Sequence, residues 1–279
     1  MIRKDIPLPD IVKRYGSARG LVAIGLGFLT VFYIVPILLL YWQSLNFGEG
    51  GLFANYERAL SGIYVRILFR SFYYGVLTTV FTIGLGYIAS YYLVFRSNRE
   101  KFLLGLVVLP LWIAYVIRYL GIQLFLFRSG PVVALFGTDF GFIFSTRGVV
   151  LGLTAVFLPF AILPIYNSLS SLDEDLIKAS RVLGADQFRT VRSIVFPLSL
   201  SGVVAAGLIV FILATGSFLA PAVLGGPQNT MIANVIEQSY GNLNIGLAAS
   251  LAVVYTTLLL VVILAFNSYI NLGEVLGEL

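Results

Sequence analysis

Long apolar runs separated by short polar stretches dominate this chain, at residues 21–42, 71–95, 102–127, 149–167, 198–221 and 245–270. At about 1.5 Å of rise per helical residue, runs of this length cross a hydrocarbon core of about 30 Å. The pattern predicts six membrane-spanning helices. One stretch breaks it: residues 168–203, SLSSLDEDLIKASRVLGADQFRTVRSIVFPLSLSGV, carry charges of both signs between the fourth and fifth runs.

Within that stretch, Ser171-Leu172-Asp173-Glu174 fits a capping box, and Asp173, Glu174 and Asp175 fall where a helix dipole favours negative charge. A short helix is expected from about Leu172. Leu172, Leu176, Ala179 and Leu183 recur at helical spacing and share one face, while Asp175, Lys178 and Arg181 point elsewhere. Gly184 stands where a left-handed cap is wanted, and Asp186 can cap a second turn carrying Phe188 and Val191. Pro197 opens the return into the bilayer. Lipid headgroups and a protein partner are both conceivable contacts for such a helix, elbow and helix. Four acidic residues favour the protein, because they suit an anionic lipid surface poorly.

The basic residues orient the chain. Arg3, Lys4, Lys13, Arg14 and Arg19 precede the first run, Arg96, Arg99 and Lys101 follow the second, and Lys178, Arg181, Arg189 and Arg192 follow the fourth. These are most of the 18 Lys and Arg, and they place both termini and the 168–203 stretch in the cytoplasm. Arg58, Arg66 and Arg70 near the second run dilute the bias without reversing it. The first run lacks a small-residue cleavage pattern and reads as a retained helix.

Composition narrows the function. Hydrophobic residues make up 59% and charged residues 11%, with a mean hydropathy of +0.95, against about 25% charged in ordinary soluble domains. The chain has no Cys and no His, which excludes disulfides, thiolate or imidazole metal sites and a Ser-His-Asp triad. It also lacks a G-x-x-x-x-G-K-[ST] phosphate loop, so nucleotide chemistry would belong to a partner, and the chain is not expected to be an enzyme. The net charge of +5 needs no nucleic acid, since basic loops facing anionic lipid account for it.

The run Lys178-Ala179-Ser180-x-x-x-Gly184 followed by Ile194-x-x-Pro197 resembles the EAA loop of ABC importer permeases, with nine residues between Gly184 and Ile194 as in that pattern. VVLPLWIAYVIRYLGIQLFL (107–126), LGLTAVFLPFAILPIYNSL (151–169) and GSFLAPAVLGGPQNTMIANVIEQSY (216–240) are similar to segments of the spermidine/putrescine permease group within that superfamily. The resemblance implies an all-α, MetI-like permease fold of six helices, with 1–20 and 272–279 as cytoplasmic ends and 21–271 as one domain containing a coupling loop at 168–197. It further implies that Leu172, Asp175, Leu176, Lys178, Ala179, Ser180, Leu183, Gly184, Ala185, Phe188 and Arg189 meet an ATPase dimer, which binds the ATP and Mg. The other implied partners are a second permease subunit and an extracytoplasmic solute-binding protein, in the inner membrane of a prokaryote. Two departures stand out: Lys178 occupies the position of the motif's Glu, and Ser217 precedes Phe218 where many relatives carry an acid.

For the solute route, Trp112, Tyr115, Arg118, Tyr119, Phe160, Ser217 and Phe218 are the candidates. Aromatic faces can hold a cation, and they also serve as membrane packing and interface anchors. Counted along one continuous third helix, Arg118 lies about 24 Å across the core, near the outer side, where it can snorkel. Pro159 and Pro164 are expected to kink the fourth helix. For the segment 221–240 the resemblance implies a gate or a contact for an extracytoplasmic binding protein, and its residue content alone also fits a plain connecting loop. A polyamine is the solute that the resemblance implies, and an amino acid derivative or organic anion is the alternative. A stand-alone secondary transporter or channel should show intramembrane ionisable pairs or an inverted repeat, and neither is visible.

Overall fold

The computed structural model describes residues 17–45, 50–138, 140–182 and 184–270, and these are almost entirely helical. The expected N-terminal segment before residue 17, the tail from 271 onward and Leu183 lie outside the described residues. Among the described residues five helices are long and apolar enough to cross a bilayer, and a bent pair, taken as one span, brings the number to six.

The first crossing joins α1 (Ser17–Leu29) to α2 (Val35–Ser44) through a wide turn at Thr30–Ile34. There the Val35 amide reaches back five residues to the Thr30 carbonyl. Pro36 explains the widening, because it has no N–H for the normal ladder. A short helix α3 (Ala54–Ala59) leads into α4 (Gly62–Phe95), which rises about 51 Å, well beyond a hydrocarbon core. The apolar run marked only its second part, because Arg66 and Arg70 interrupt the first.

The third crossing corrects the expectation of one continuous helix. α5 (Glu100–Val108) ends in a tight turn at Leu109–Trp112, Ile113 and Ala114 are extended, and α6 (Tyr115–Leu126) starts afresh. Pro110 lacks an amide hydrogen, which removes a rung where the ladder breaks. A short α7 (Pro131–Phe136) follows, closed by Gly137 in the left-handed region.

α8 (Thr146–Ser170) is the fourth crossing and the axis of the bundle, with 67% of its most apolar window buried. Beyond it come α9 (Glu174–Val182), α10 (Gln187–Thr190), a wide turn at Val191–Val195, α11 (Phe196–Leu198) and α12 (Leu200–Thr215). α12 alone rises about 24 Å, so the fifth crossing is completed by the segment Gln187–Leu198, set at 66° to it. Pro197 again follows the wide turn. α13 (Ile232–Gly241) occupies the segment that also read as a plain loop, and α14 (Ile245–Ile270) is the last crossing.

α4, α8 and α12 pack together at the centre, while α2, α3 and α13 gather around α14. The face that α4 buries carries Ser71, Gly75, Thr78, Thr82, Gly86 and Ser90, at steps of three and four. In lipid, where apolar area gives no preference for a neighbouring helix, small side chains allow the close packing that does. A Cβ at Gly86 would stand 3.0 Å from that of Ala161, and one at Gly202 would stand 2.7 Å from the Pro164 carbonyl. The Ser90 hydroxyl donates to the Ile162 carbonyl at 3.0 Å, tying α4 to α8.

Candidate functional site

The 168–203 stretch projects as a small structured unit. α9 begins at Glu174, two residues later than the capping box suggested. Ser171 instead closes α8, its hydroxyl donating to the Ser168 carbonyl, and Asp173 caps α9 by accepting from the Asp175 amide at 2.9 Å. Gly184 lies at φ +84°, and the Ala185 amide reaches the Ser180 carbonyl at 3.0 Å, which forms a Schellman-type close. Asp186 caps α10 by accepting from the Arg189 amide at 2.7 Å.

Two faces of α9 behave differently. Ile177 and Ser180 are buried against the bundle, and the Ser180 hydroxyl shares a 3.0 Å hydrogen bond with Thr190. Leu172 packs on the central core, so it anchors the unit. On the outward side Leu176, Ala179, Val182 and Phe188 are exposed, Val182 at 88% and Phe188 at 73%. Leu176, Ala179 and Val182 lie outside the spans, where such apolar exposure marks an interaction surface, and Phe188 stands beside them at the start of the segment that completes the fifth crossing. Lys178 and Asp175 pair at 3.2 Å, both well exposed, so the inverted charge at position 178 is partly offset within its own helix. Arg189 is also exposed.

Sequence reasoning missed the tie that holds this unit. Gln187 accepts from Arg96 at 2.8 Å and donates to the Tyr91 hydroxyl at 3.3 Å, both residues lying at the end of α4. Glu100 likewise accepts from the Tyr166 hydroxyl and joins α5 to α8. Neither pair has a sequence signature, since each depends on which helix ends meet.

Among the candidates for a solute route, four lie on α6 and α8: Tyr115, Arg118, Tyr119 and Phe160. The Arg118 guanidinium stands 4.3 Å from the centre of the Tyr115 ring, and its Nη1 donates to the Val156 carbonyl at 3.2 Å. Tyr115 packs edge-on against Phe157, and Phe157 against Phe160. Tyr119 is 1% exposed, and its hydroxyl faces Ser217 without closing a hydrogen bond to it. Trp112 projects from the break before α6, 88% exposed. Phe218 lies apart, in a cavity with Leu40, Gln43, Glu237 and Tyr240.

The depth of Arg118 corrects the sequence estimate. Because the third crossing is broken, Arg118 sits in the first turns of α6, and its partner Val156 is about 15 Å along α8 from Thr146, near the middle of that helix. The Val156 carbonyl accepts from Arg118 through the second lone pair of its oxygen, and Pro159 leaves the neighbouring Ala155 carbonyl without its ladder donor. The Arg118 Nε is buried and unbonded among the described residues. None of the five long apolar helices, nor the bent pair, contains Asp or Glu, and Glu100 stands at the first residue of α5.

The segment above this cluster is pinned in place. Asn229 accepts from Tyr74 at 2.7 Å and Thr146 at 3.0 Å, and donates to the Gly225 and Phe144 carbonyls. Gln123 donates to the Val223 carbonyl at 2.9 Å, and the Ile232 amide donates to the Ser71 hydroxyl at 2.8 Å. The side chain of Leu224 is buried where a Cβ on Gly152 would touch it.

The model of the binding-protein-dependent transport system inner membrane component matches residues 82–271. The chain belongs to that family. A spermidine/putrescine transport system permease protein, PotB of Escherichia coli, is 29% identical over 231 residues, covering 78% of this chain and 84% of that relative. Among solved structures, a bacterial ABC transporter that imports the acidic polysaccharide alginate superposes with a TM-score of 0.76 at 16% identity, covering 93% and 96% of the two chains. The methionine ABC transporter MetNI in an inward-facing conformation gives 0.60 at 20% identity, covering 77% and 97%. This chain is therefore a multi-pass inner-membrane permease of a prokaryotic ABC importer, a non-catalytic subunit with a MetI-like fold. The matched region contains α9, α10 and the Arg118 cluster.

Proposed function

We propose that this permease forms one half of the translocation path of an ATP-driven importer, beside a second permease of different sequence. An ATPase dimer holds the ATP and Mg, and a solute-binding protein delivers cargo from outside. In this reading the unit at 172–192 is cytoplasmic and passes the motion of the ATPase to the bundle as a rigid-body shift. The observation that carries it is the exposed apolar face of Leu176, Ala179, Val182 and Phe188 on a helix held from behind by Ile177, Ser180 and Gln187.

The test is solute-stimulated ATP hydrolysis by the reconstituted complex. Ala179→Trp and Gly184→Pro should abolish stimulation while the subunit still inserts. Wild-type uptake by both variants would remove the coupling role.

A polyamine such as spermidine or putrescine is the proposed solute, supported by the name of the relative PotB. A second reading, an organic anion or amino acid derivative, draws on Arg118 at mid-depth and on long apolar helices free of Asp and Glu. Thermal shifts of the partner binding protein with spermidine, glutamate and citrate separate the two.

A further inference from the structure

At the end of the bundle remote from the coupling unit, α4 carries Arg66 and Arg70 one turn apart on one face. Both line a cavity of about 590 Å³ that α13 and the turn before it complete. Gln228, Gln238, Asn242 and Asn244 add polar groups to its wall, and among the described residues no acidic one lines it. Glu237, on the same helix as Gln238, faces the separate cavity of Gln43 and Phe218.

The two arginines differ in setting. Arg70 is half-buried, with Nη1 donating to the Gln228 carbonyl and Nε buried and unbonded among the described residues. Arg66 is exposed. Like charges one helical turn apart disfavour each other unless an anion lies between them, and a guanidinium is shaped to receive a carboxylate in bidentate fashion. The rise along α4 from Arg70 to Arg96, which touches the coupling unit, is about 39 Å. A cavity at that distance opens on the opposite side of the membrane. The family match starts at residue 82, so neither arginine falls within it.

The geometry points to this cavity as the seat of an acidic side chain from the solute-binding partner, an inference that rests on the proposed function above. The carboxylate enters between Arg66 and Arg70, and the surrounding carboxamides accept or donate to the rest of the inserted segment. The cavity lies within the size range of small-ligand pockets, so one or two side chains fill it without rearrangement.

The test measures docking of the solute-binding protein onto the full transporter in phosphatidylcholine nanodiscs. Arg66→Gln and Arg70→Gln should each weaken docking about tenfold and flatten its dependence on added salt. Because Arg70 also holds Gln228, the deciding variant is Arg66→Gln, whose side chain has no such tie. Arg66→Glu should lose docking and regain it when an acidic residue of the binding protein is changed to Lys. Unchanged affinity in Arg66→Gln overturns the inference while leaving the proposed function standing. Loss of wild-type docking when phosphatidylglycerol or free glutamate is added, with no charge-reversal rescue, would assign the cavity to a lipid headgroup or a free anion instead. A wild-type complex that binds no such protein overturns both.

Discussion

Arg96 at the end of α4 donates to Gln187 at the start of α10 across 2.8 Å, joining residues 91 positions apart. With the Tyr91 contact, this makes Gln187 the point where the 172–192 unit is fastened to the central bundle. Gln187→Ala should lower stimulated ATPase several-fold, and Arg96→Ala should do so less. A double-mutant cycle on the two should be non-additive by about 1 kcal/mol, as for an exposed charge-assisted hydrogen bond. Additive losses would show that the two residues act separately.

Gly184 has open space where a Cβ would lie, so replacing it tests backbone conformation alone. At φ +84°, Ala should cost about 1–2 kcal/mol in thermal unfolding of the complex, Asn less and Val more. Equal melting temperatures for Gly, Ala and Val would mean that the elbow can be rebuilt without the left-handed turn.

Asn229 serves four hydrogen bonds at the segment above the Arg118 cluster. Asn229→Ala should cost about 1–3 kcal/mol per buried group left unsatisfied, and should make residues near Leu224 accessible to limited proteolysis. Asn229→Asp retains an acceptor for Tyr74 and Thr146 but places a carboxylate against the Gly225 and Phe144 carbonyls, so it should not restore protection.

Arg118→Met keeps an unbranched side chain of shorter reach and removes the guanidinium, with its buried, unbonded Nε and its bond to Val156. Thermal stability should stay level or rise, because a buried charge is costly to desolvate, while solute uptake should fall by about tenfold or more. Undiminished uptake in proteoliposomes would place Arg118 in packing and outside the solute route.

The apolar runs and the cap residues were legible in the sequence because each obeys a local rule. Run length reports hydrophobic thickness, and Gly184 and Asp186 report backbone geometry within a few residues. The break at Leu109–Trp112 was hidden because its residues are as apolar as those of a continuous helix, and Pro110 alone does not say whether a span bends or ends. That break misplaced Arg118. The central face of α4 was hidden for another reason: in lipid the buried stripe is mostly small, from Ser71 to Ser90 with Tyr74 as its one large member, while most large apolar side chains there point outward. The ties of Gln187 and Asn229 join distant segments, and no spacing rule reaches that far.

In the proposed coupling, the angle between Gln187–Leu198 and α12 sets what a moving partner delivers to the bundle. At 66°, less than half of a push along the first segment is passed down the axis of α12, and the larger component is sideways. In that coupling the segment acts as a crank and not a piston. Ser217 and the turn beyond α12 would therefore be swung across the bundle, so that a small stroke on one side of the membrane becomes a lateral opening on the other.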